Sequence, residues 1–439
     1  MSKWLFLVNA ARASWQAHGA PERVMAAVSG GADSMLLLRV LLELSRKEKM
    51  TLSAVHVDHG LRPVSGQDAQ FVAESCAAWN IPLFLRSVAL RGSGEEEARA
   101  ARYQAIADCA VGARAEAVAL AHHQQDQAET VLLHLFRGSG ARGLAGMRPW
   151  AALPFAQGAP PFAWRPLLDI PREALRKAAE EITLSWREDE TNAQSTYLRN
   201  YLRHAVFPAV RGRLPQAEAA ICRTAKILAA EDDCLQAQAQ DFARRFAVLA
   251  PPCRYMDFRA FTGLHPALQR RALRLALPEE SDFALIERIR ALRPGESENL
   301  PQGGRLLVTE RYLHFLPAVS EAPSAGKTEI VPCPAGETGD GVRRQAFPAG
   351  TLRDCALRFR QPGDCIRPLG GPGDKSLQDY FTDRKVPRPF RDYVPLLCRG
   401  KRVLWAVGVG PGEEARTAPG VPAEMAVYTG FLPGEFPPL

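Results

Sequence analysis

The residues best suited to chemistry lie in the segment SGGADS, from Ser29 to Ser34, between an apolar stretch and a leucine-rich one. Gly30 and Gly31 can adopt backbone angles that other residues avoid, and they let an anion approach the main chain. The helix predicted to follow presents unpaired N–H groups and partial positive charge at its start, which favours bound phosphate. The alternative is an ordinary turn in which Asp33 or Ser34 only caps the helix.

A second group of chemically useful residues lies in the segment AHHQQDQAET. A helix that begins near Gln124 places His122, Asp126 and Glu129 near one face, because residues three and four apart are neighbours on a helix. Two carboxylates there suit the magnesium ion of a nucleotide, which favours a few carboxylates together with phosphate oxygens. The competing interpretation is a solvated first turn whose acids are stabilised by the helix dipole.

Two pairs of arginines also share predicted helix faces. Arg99 and Arg102 are three residues apart, and Arg199 and Arg203 are four apart. The planar guanidinium group makes two parallel hydrogen bonds to a phosphate or a carboxylate. A solvated helix face explains each pair equally well, so these arginines are candidates that need support from the rest of the chain.

The elements expected to position these residues alternate between strand and helix from residue 20 to about 145. The predicted strands are VMAAVSG, TLSAVHVDH, IPLFLRSVAL and AEAVALAHH. The predicted helices between them are SMLLLRVLLELSRK, GQDAQFVAESCAAWN and EEEARAARYQAIADCAVG. This alternation predicts a parallel sheet covered by helices. Ligands of such sheets bind beyond the carboxyl ends of the strands, where the chemically useful segments fall.

Three domains are expected along the chain. Residues 1–210 form the α/β domain, and residues 211–320 read mainly as helices. The segment Pro317–Lys327 has the composition of a linker. Residues 328–439 are rich in glycine, proline and short apolar runs, which predicts a small mixed or mostly β domain.

Composition excludes several classes of protein. The nine cysteines form no CxxC pair and are odd in number, which argues against a disulfide framework, a zinc ribbon and an iron–sulfur site. No apolar run reaches the roughly 18 to 20 residues that span a membrane, and the N-terminus reads as a helix rather than a signal peptide. We therefore expect a cytoplasmic protein with no membrane partner. The net charge of +7 favours a polyanionic partner.

Together these segments resemble one family, the bacterial tRNA(Ile)-lysidine synthetases of the N-type ATP pyrophosphatase (PP-loop) superfamily. The order of motifs is SGGADS, HVDHGLR, EEEARAARY, AHHQQDQAET, RGSGARGLAGM, WRPLL, WREDETN and YLRNYLR. The first motif is shared by the superfamily, whereas the HH–DQAET–RGSG run followed by RNYLR is more specific. The resemblance covers most of residues 23 to 205 and identifies residues 1–210 as the PP-loop catalytic domain. It implies that residues 211–320 bind substrate or tRNA and that residues 328–439 bind tRNA.

The resemblance implies a reaction in which ATP adenylates the C2 oxygen of the wobble cytidine in tRNA(Ile) with a CAU anticodon. The amine of L-lysine then displaces AMP, so that lysidine forms and AMP and pyrophosphate are released. The expected partners are this tRNA and L-lysine, and ATP and Mg²⁺ are the expected substrate and cofactor. A homodimer is an open option.

The resemblance also assigns residues. ATP binding is expected at Ser29, Gly30, Gly31, Asp33, Ser34 and His56. Catalysis is expected at Asp33, Asp126, Glu129 and Arg203, with Asp33 and Asp126 as the Mg²⁺ ligands. Substrate or tRNA contacts are expected at Arg99, Arg102, His122 and Arg199. The family usually has two adjacent acids, HHxDDQ, where this chain has Gln125 before Asp126. We therefore expect Asp126 and Glu129 to be the remaining essential acids.

The segment from Leu357 to Leu397 resembles the C-terminal tRNA-binding domain of the same family. From Thr351 to Trp405 there are 12 Lys plus Arg and 6 Asp plus Glu, so the local excess is +6. We expect Phe381 in the core and leave Tyr380 open between core packing and stacking on RNA. Phosphate contacts are expected at Lys375, Arg384, Lys385, Arg388 and Arg391.

Three other functions compete with this interpretation. A tRNA thiolase of the same superfamily usually needs catalytic cysteines or an iron–sulfur cluster, and the chain has no CxxC pair. A small-molecule adenylating enzyme needs no basic C-terminal module. A non-catalytic RNA-binding relative is favoured only by the neutral Gln125.

Overall fold

The computed structural model describes residues 2–58, 65–88, 95–155, 161–187, 198–249, 254–278, 281–316, 326–334, 336–386, 388–418 and 420–430. The chain divides into two compact units, Met1–Asp233 and Cys234–Leu439. The predicted division at residues 210 and 320 stays a prediction, and most of the predicted linker, residues 317–325, lies outside the described residues.

The first unit contains a six-stranded sheet and the helices that cover it. Its strands are β1 Arg23–Ala27, β2 Thr51–Asp58, β3 Leu83–Ser87, β4 Ala117–Ala119, β5 Trp150–Ala152 and β6 Phe162–Trp164. Its helices are α1 Lys3–Ala17, α2 Ala32–Lys47, α3 Ser65–Ala78, α4 Glu95–Gly112, α5 Gln124–Phe136, α6 Ala141–Leu144, α7 Arg172–Glu181, α8 Leu198–Tyr201 and α9 Phe207–Arg211. Helix α10, Ala217–Phe246, begins in this unit and ends in the second.

The strand order of this sheet is β3-β2-β1-β4-β6-β5. Strands β1 to β4 and β6 pair in parallel, which confirms the predicted parallel sheet and its helical crossovers. Strand β5 pairs antiparallel with β6 at the edge of the sheet. The sequence did not predict this edge, because residues 150–210 lack a regular alternation of apolar residues.

Side chains of β1 alternate between the two faces of the sheet, as the period of a strand requires. Val24 and Ala26 pack in a core with α1, α2 and α7. Met25 faces the opposite core, which is built largely from α4 residues such as Tyr103 and Ile106. The loop after β1 is therefore held in the middle layer of a three-layered unit.

Besides the end of α10, the described residues of the second unit contain three α-helices before residue 300 and one after it. They are α11 Phe258–Thr262, α12 Pro266–Ala276, α13 Phe283–Ala291 and α14 Leu377–Asp383. A five-stranded antiparallel sheet packs with the first three, and its strands are β7 Ala247–Val248, β8 Tyr255–Asp257, β9 Ser297–Asn299, β10 Arg305–Val308 and β11 Tyr312–Leu316. The predicted helices are present. The sheet was not predicted, because its five short strands have no clear sequence pattern of their own.

The last part of the second unit consists of short strands, as predicted. A three-stranded sheet is built from β12 Lys327–Pro332, β13 Arg344–Pro348 and β20 Ala423–Thr429. A second sheet is built from β14 Ala356–Arg358, β15 Cys365–Ile366, β16 Lys375–Ser376, β17 Leu396–Arg399, β18 Arg402–Ala406 and β19 Gly410–Pro411. Phe381 is fully buried, as expected, and Tyr380 is buried beside it, which places both in the core.

Two further expectations concern cysteines and membranes. The eight cysteines within the described residues are all free thiols. Burial raises the pKa of Cys76 to about 11 and the pKa of Cys398 to about 12, so both stay protonated at neutral pH. Across the described residues, no helix combines the length and the apolarity that a bilayer crossing requires.

Candidate nucleotide site

The segment between β1 and α2 forms the floor of a cavity of about 760 Å³ at the carboxyl ends of the strands. Gly30 has a φ of +91°, a conformation that glycine adopts without strain. Gly31 precedes α2 in an extended conformation, and no side chain caps the first N–H groups of that helix. The start of α2 therefore presents free N–H groups to the cavity, which suits an anion.

One serine hydroxyl group and one histidine hold this loop in place. Ser34 Oγ donates to the carbonyl of Gly31 at 2.9 Å and accepts from the backbone N–H of Ser29 at 3.1 Å. From the neighbouring strand β2, Nδ1 of the buried His56 donates to the carbonyl of Val28 at 2.8 Å. The loop is thus preorganised by its own residues, and His56 lies close enough to line the same cavity.

Helix α5 begins at Gln124, as predicted, and its first turn faces the loop. His123 is the N-cap: its Nδ1 accepts from the N–H of Asp126 at 3.4 Å, while the Asp126 carboxylate accepts from the N–H of His123 at 3.0 Å. Nε2 of the same ring lies 3.6 Å from the Asp33 carboxylate of α2. His123 therefore links the two predicted metal ligands, Asp33 and Asp126.

The acids and histidines of this cluster shift one another's pKa values in the direction that favours their charged forms. Burial alone would lower the pKa of His123, but Asp33 and Asp126 raise it above its ordinary value. Burial alone would raise the pKa of Asp126, but His123, His122 and Arg203 lower it. Burial lowers the pKa of His122 to about 3, so its imidazole is neutral at physiological pH. The cavity therefore contains an ionised Asp126 beside a neutral His122.

Glu129 lies one turn further along α5 and is fully buried. Arg203 donates to both of its carboxylate oxygens, from Nε at 2.7 Å and from Nη2 at 2.9 Å. The same Nη2 group donates to Asp126 at 3.0 Å, and Nε of Arg199 lies 3.3 Å from Glu129. Glu129 does not line the cavity, so its carboxylate orients Arg203, which does.

Arg203 lies in an unusual helical segment. Residues Leu202–Val206 form a π-helical turn between α8 and α9. Leu202 and Phe207 are both buried in one core cluster with Ala128 of α5. This core places the π-helical turn against α5 and directs Arg203 towards the acids of that helix.

The other predicted residues of the first unit have different surroundings. Arg102 lines the cavity, and its guanidinium lies 5.6 Å from the centre of the Tyr103 ring. Arg99 lies over the same ring at 5.7 Å but does not line the cavity. Gln125 is buried and is also outside the lining, so the neutral residue at this position removes no charge from the cavity wall.

The predicted basic residues of the second unit differ in exposure. Lys375, Arg384, Lys385 and Arg388 are exposed, and Lys375 pairs with Asp383 at 2.6 Å. Arg391 is buried, and its Nε donates to the carbonyl of Val386 at 2.8 Å. A buried guanidinium that binds its own backbone is placed to stabilise the fold, which disfavours the predicted phosphate contact at Arg391.

Sequence reasoning missed several residues of this site. His123 was part of the noted histidine pair, but only His122 was selected. Arg172 and Arg176 of α7, and Arg187 after it, also line the cavity. Their spacing carried a signal, since Arg172 and Arg176 are one helical turn apart, but nothing local connects α7 with a loop 140 residues earlier.

Within the described residues, no group of three or more histidine, cysteine or acidic side chains is placed to hold a metal ion by itself. Asp33 and Asp126 share His123 as a neighbour and both line the cavity. Two carboxylates fit Mg²⁺ where phosphate oxygens supply the remaining ligands, because this ion rarely relies on protein ligands alone.

Comparison with known proteins places this site in a class. Residues 8–210 match the family model described as the PP-loop domain. Residues 355–425 match the model described as the TilS substrate C-terminal domain. The fold of the first unit and its glycine loop thus define the chain as a PP-loop protein, an ATP-using class.

Curated relatives match nearly the whole chain. The tRNA(Ile)-lysidine synthase of Geobacter sulfurreducens is 33% identical, and the match covers 92% of each chain. That of Dehalococcoides mccartyi is 32% identical over 90% of this chain and 93% of its own. That of Symbiobacterium thermophilum is 34% identical, and the match covers 88% of this chain and 90% of its own. The chain belongs to the tRNA(Ile)-lysidine synthase family.

Proposed function

We propose that the protein ligates L-lysine to C2 of the wobble cytidine of tRNA(Ile) with a CAU anticodon. The observation that carries this proposal is the match to curated tRNA(Ile)-lysidine synthases over about nine-tenths of the chain. The preorganised glycine loop beside Asp126 and Arg203 supports it, because the reaction needs an ATP site next to a carboxylate and a cation.

In the first step, the C2 oxygen of cytidine attacks the α-phosphorus of ATP, and pyrophosphate leaves. The N–H groups of Gly30, Gly31 and the first turn of α2 hold the phosphates and stabilise the charge that develops on the leaving group. Mg²⁺, when held by Asp33 and Asp126, would neutralise phosphate charge during this step. The product is an adenylated cytidine.

In the second step, the ε-amine of lysine attacks C2 and AMP leaves. The ammonium group of free lysine must lose a proton before it can attack, and ionised Asp126 is the acceptor at the cavity wall. Arg203, oriented by Glu129, faces negative charge on the substrate or on the leaving AMP. Arg102 is the arginine available for the α-carboxylate of lysine.

The proposal also assigns the basic surface of the second unit. We infer that exposed Arg384, Lys385 and Arg388, with Lys375, contact the phosphates of the tRNA. Such binding weakens steeply with salt. We infer a cytoplasmic location, because the proposed substrate is a tRNA. A homodimer stays a prediction, which sedimentation velocity tests.

The decisive experiment measures ATP-dependent incorporation of labelled lysine into tRNA(Ile) with a CAU anticodon. We expect incorporation with release of AMP and pyrophosphate, and none into a methionine tRNA with the same anticodon. Release of pyrophosphate without lysine follows the first step alone, and incorporation of lysine follows both steps, so the two measurements on Asp126→Asn show how much each step depends on this carboxylate. No incorporation by the intact chain in the presence of ATP, Mg²⁺, lysine and this tRNA would refute the proposal.

The alternatives predict other outcomes in the same experiment. A thiolase would incorporate sulfur rather than lysine, and none of the described cysteines lines the cavity of the first unit. A non-catalytic RNA-binding relative would bind the tRNA without consuming ATP. The chain's ionised Asp126 beside a complete glycine loop argues against this last interpretation.

A further inference from the structure

The wall of the cavity carries two arginines of α7 that the proposed mechanism does not use. Arg172 opens helix α7, and Arg176 lies one helical turn later, so both side chains share a face of the helix. Both line the cavity whose floor is the glycine loop. We infer that Arg172 and Arg176 bind the β- and γ-phosphates of ATP and stabilise the leaving pyrophosphate. This inference rests on the proposed function.

The first support is the charge balance of the cavity. Two other arginines of its wall have carboxylate partners, since Arg203 pairs with Asp126 and Glu129 and Arg187 pairs with Asp68 at 2.6 Å, whereas Arg102 lies over the Tyr103 ring and is assigned to lysine. Within the described residues, neither Arg172 nor Arg176 forms an ion pair with a carboxylate. The Nε atom of Arg172 is shielded from solvent and has no hydrogen-bond partner there. A buried donor without a partner costs free energy, and an anion in the cavity would remove that cost.

The second support is rigid placement. Leu175, Ala178 and Ala179 of α7 are buried in the core that also contains α1 and α2. Helix α2 begins directly after the glycine loop, so the loop and the two arginines are attached to the same packed layer. A packed helix fixes the backbone positions of both arginines, so only their side chains become ordered when phosphate binds.

The third support is the segment that follows α7. The backbone N–H of Arg187 donates to the carbonyl of Gly30 at 3.0 Å. The chain from Arg172 to Arg187 is therefore fixed to the core through α7 and to the glycine loop through Arg187. This connection keeps the two arginines beside the place where the phosphates bind, rather than on an independent surface.

The experiment compares binding of inorganic pyrophosphate, ATP and AMP to the full chain by calorimetry. We expect Arg172→Gln and Arg176→Gln each to raise the dissociation constant of pyrophosphate about 10- to 100-fold, the range for a lost charge-assisted hydrogen bond. The dissociation constant of ATP should rise similarly. That of AMP should stay within about 2-fold, because AMP has no β- or γ-phosphate. Arginine-to-lysine variants should give intermediate losses, because lysine keeps the charge without the fork.

Lys177 offers a matched control on the same helix. It is exposed and pairs with Glu173 at 2.6 Å, and it does not line the cavity. Lys177→Gln should leave all three dissociation constants unchanged. Thermal unfolding of each variant, with a midpoint within about 2 °C of the parent, shows that a loss of binding is not a loss of fold.

Two outcomes would overturn the inference while leaving the proposed function intact. In the first, Arg172→Gln and Arg176→Gln bind both pyrophosphate and tRNA as tightly as the parent chain, which would show that the arginines do not contact these phosphates. Alternatively, the variants would keep pyrophosphate affinity and lose affinity for tRNA, which would assign the arginines to the RNA backbone. If the parent chain itself binds neither ATP nor pyrophosphate, the proposed function fails first.

Discussion

Substituting Glu129 by Gln tests whether this buried acid orients Arg203. The Glu129 side chain is fully buried and the Arg203 side chain is 18% exposed, and two hydrogen bonds of 2.7 and 2.9 Å join them. Removing the charge of one partner in a buried ion pair lowers the free energy of unfolding by about 3 to 5 kcal/mol. We take the lower end, about 3 kcal/mol, because Arg203 keeps its contact with Asp126.

This free energy translates into measurable changes. For a unit of roughly 150 to 250 residues, such as Met1–Asp233, about 3 kcal/mol lowers the melting temperature by about 6 to 12 °C. A displaced Arg203 should also reduce turnover by about 100-fold. Calorimetry gives the first value, and lysine incorporation into tRNA gives the second.

The pair Arg211–Glu218 is a matched control in the same unit. Its guanidinium and carboxylate approach to 2.6 Å, but Arg211 is 40% exposed. Glu218→Gln should therefore cost less than about 1 kcal/mol. A double-mutant cycle of Glu129→Gln with Arg203→Met measures the coupling free energy between these two side chains. A coupling below about 0.5 kcal/mol, or a melting temperature equal to the parent's, would refute the positioning role.

Three further changes test other parts of the structure. His123→Ser keeps an acceptor at the start of α5 but cannot reach Asp33, so turnover should fall about 10-fold with little change in melting temperature. Burial lowers the pKa of His314 to about 4, so the unfolded chain binds a proton that the folded unit does not. The free energy of unfolding should therefore fall by roughly 3 kcal/mol from pH 7 to pH 4, and His314→Gln should reduce this pH dependence. Arg388→Gln should weaken tRNA binding, and the salt dependence of that binding should correspond to about one fewer released counterion. Arg391→Gln should instead lower the free energy of unfolding.

Each of these expectations has a result that contradicts it. Unchanged turnover in His123→Ser would remove the link between α5 and Asp33 from catalysis. An identical pH dependence of unfolding in His314→Gln would assign the acid sensitivity to other groups. Equal salt dependence for Arg388→Gln and the parent chain, measured by filter binding, would place the tRNA elsewhere on the surface.

The parts of the fold that local sequence signals encode were predicted well. The strand before Ser29, the glycine turn and the start of α5 at Gln124 each depend on residues within a few positions of one another. The burial of Glu129 could not be predicted, because its partner Arg203 is 74 residues away and an acid on a helix usually faces solvent. Strand β5 and the five-stranded sheet of the second unit were missed for a similar reason, since pairing between distant short strands leaves little local pattern.

The π-helical turn at Leu202–Val206 behaves like a one-residue insertion in an otherwise regular helix. An α-helix aligns residues three or four positions apart on one side. The wider π-helical turn aligns residues five positions apart, as it does for Leu202 and Phe207. Deleting the exposed Ala205 would shorten this spacing to four and let the helix become regular without exposing either residue. Arg199 and Arg203 precede the deletion and keep their mutual phase. Turnover of the shortened chain would thus show whether the π-helical turn is needed for catalysis or is only a local irregularity of the helix.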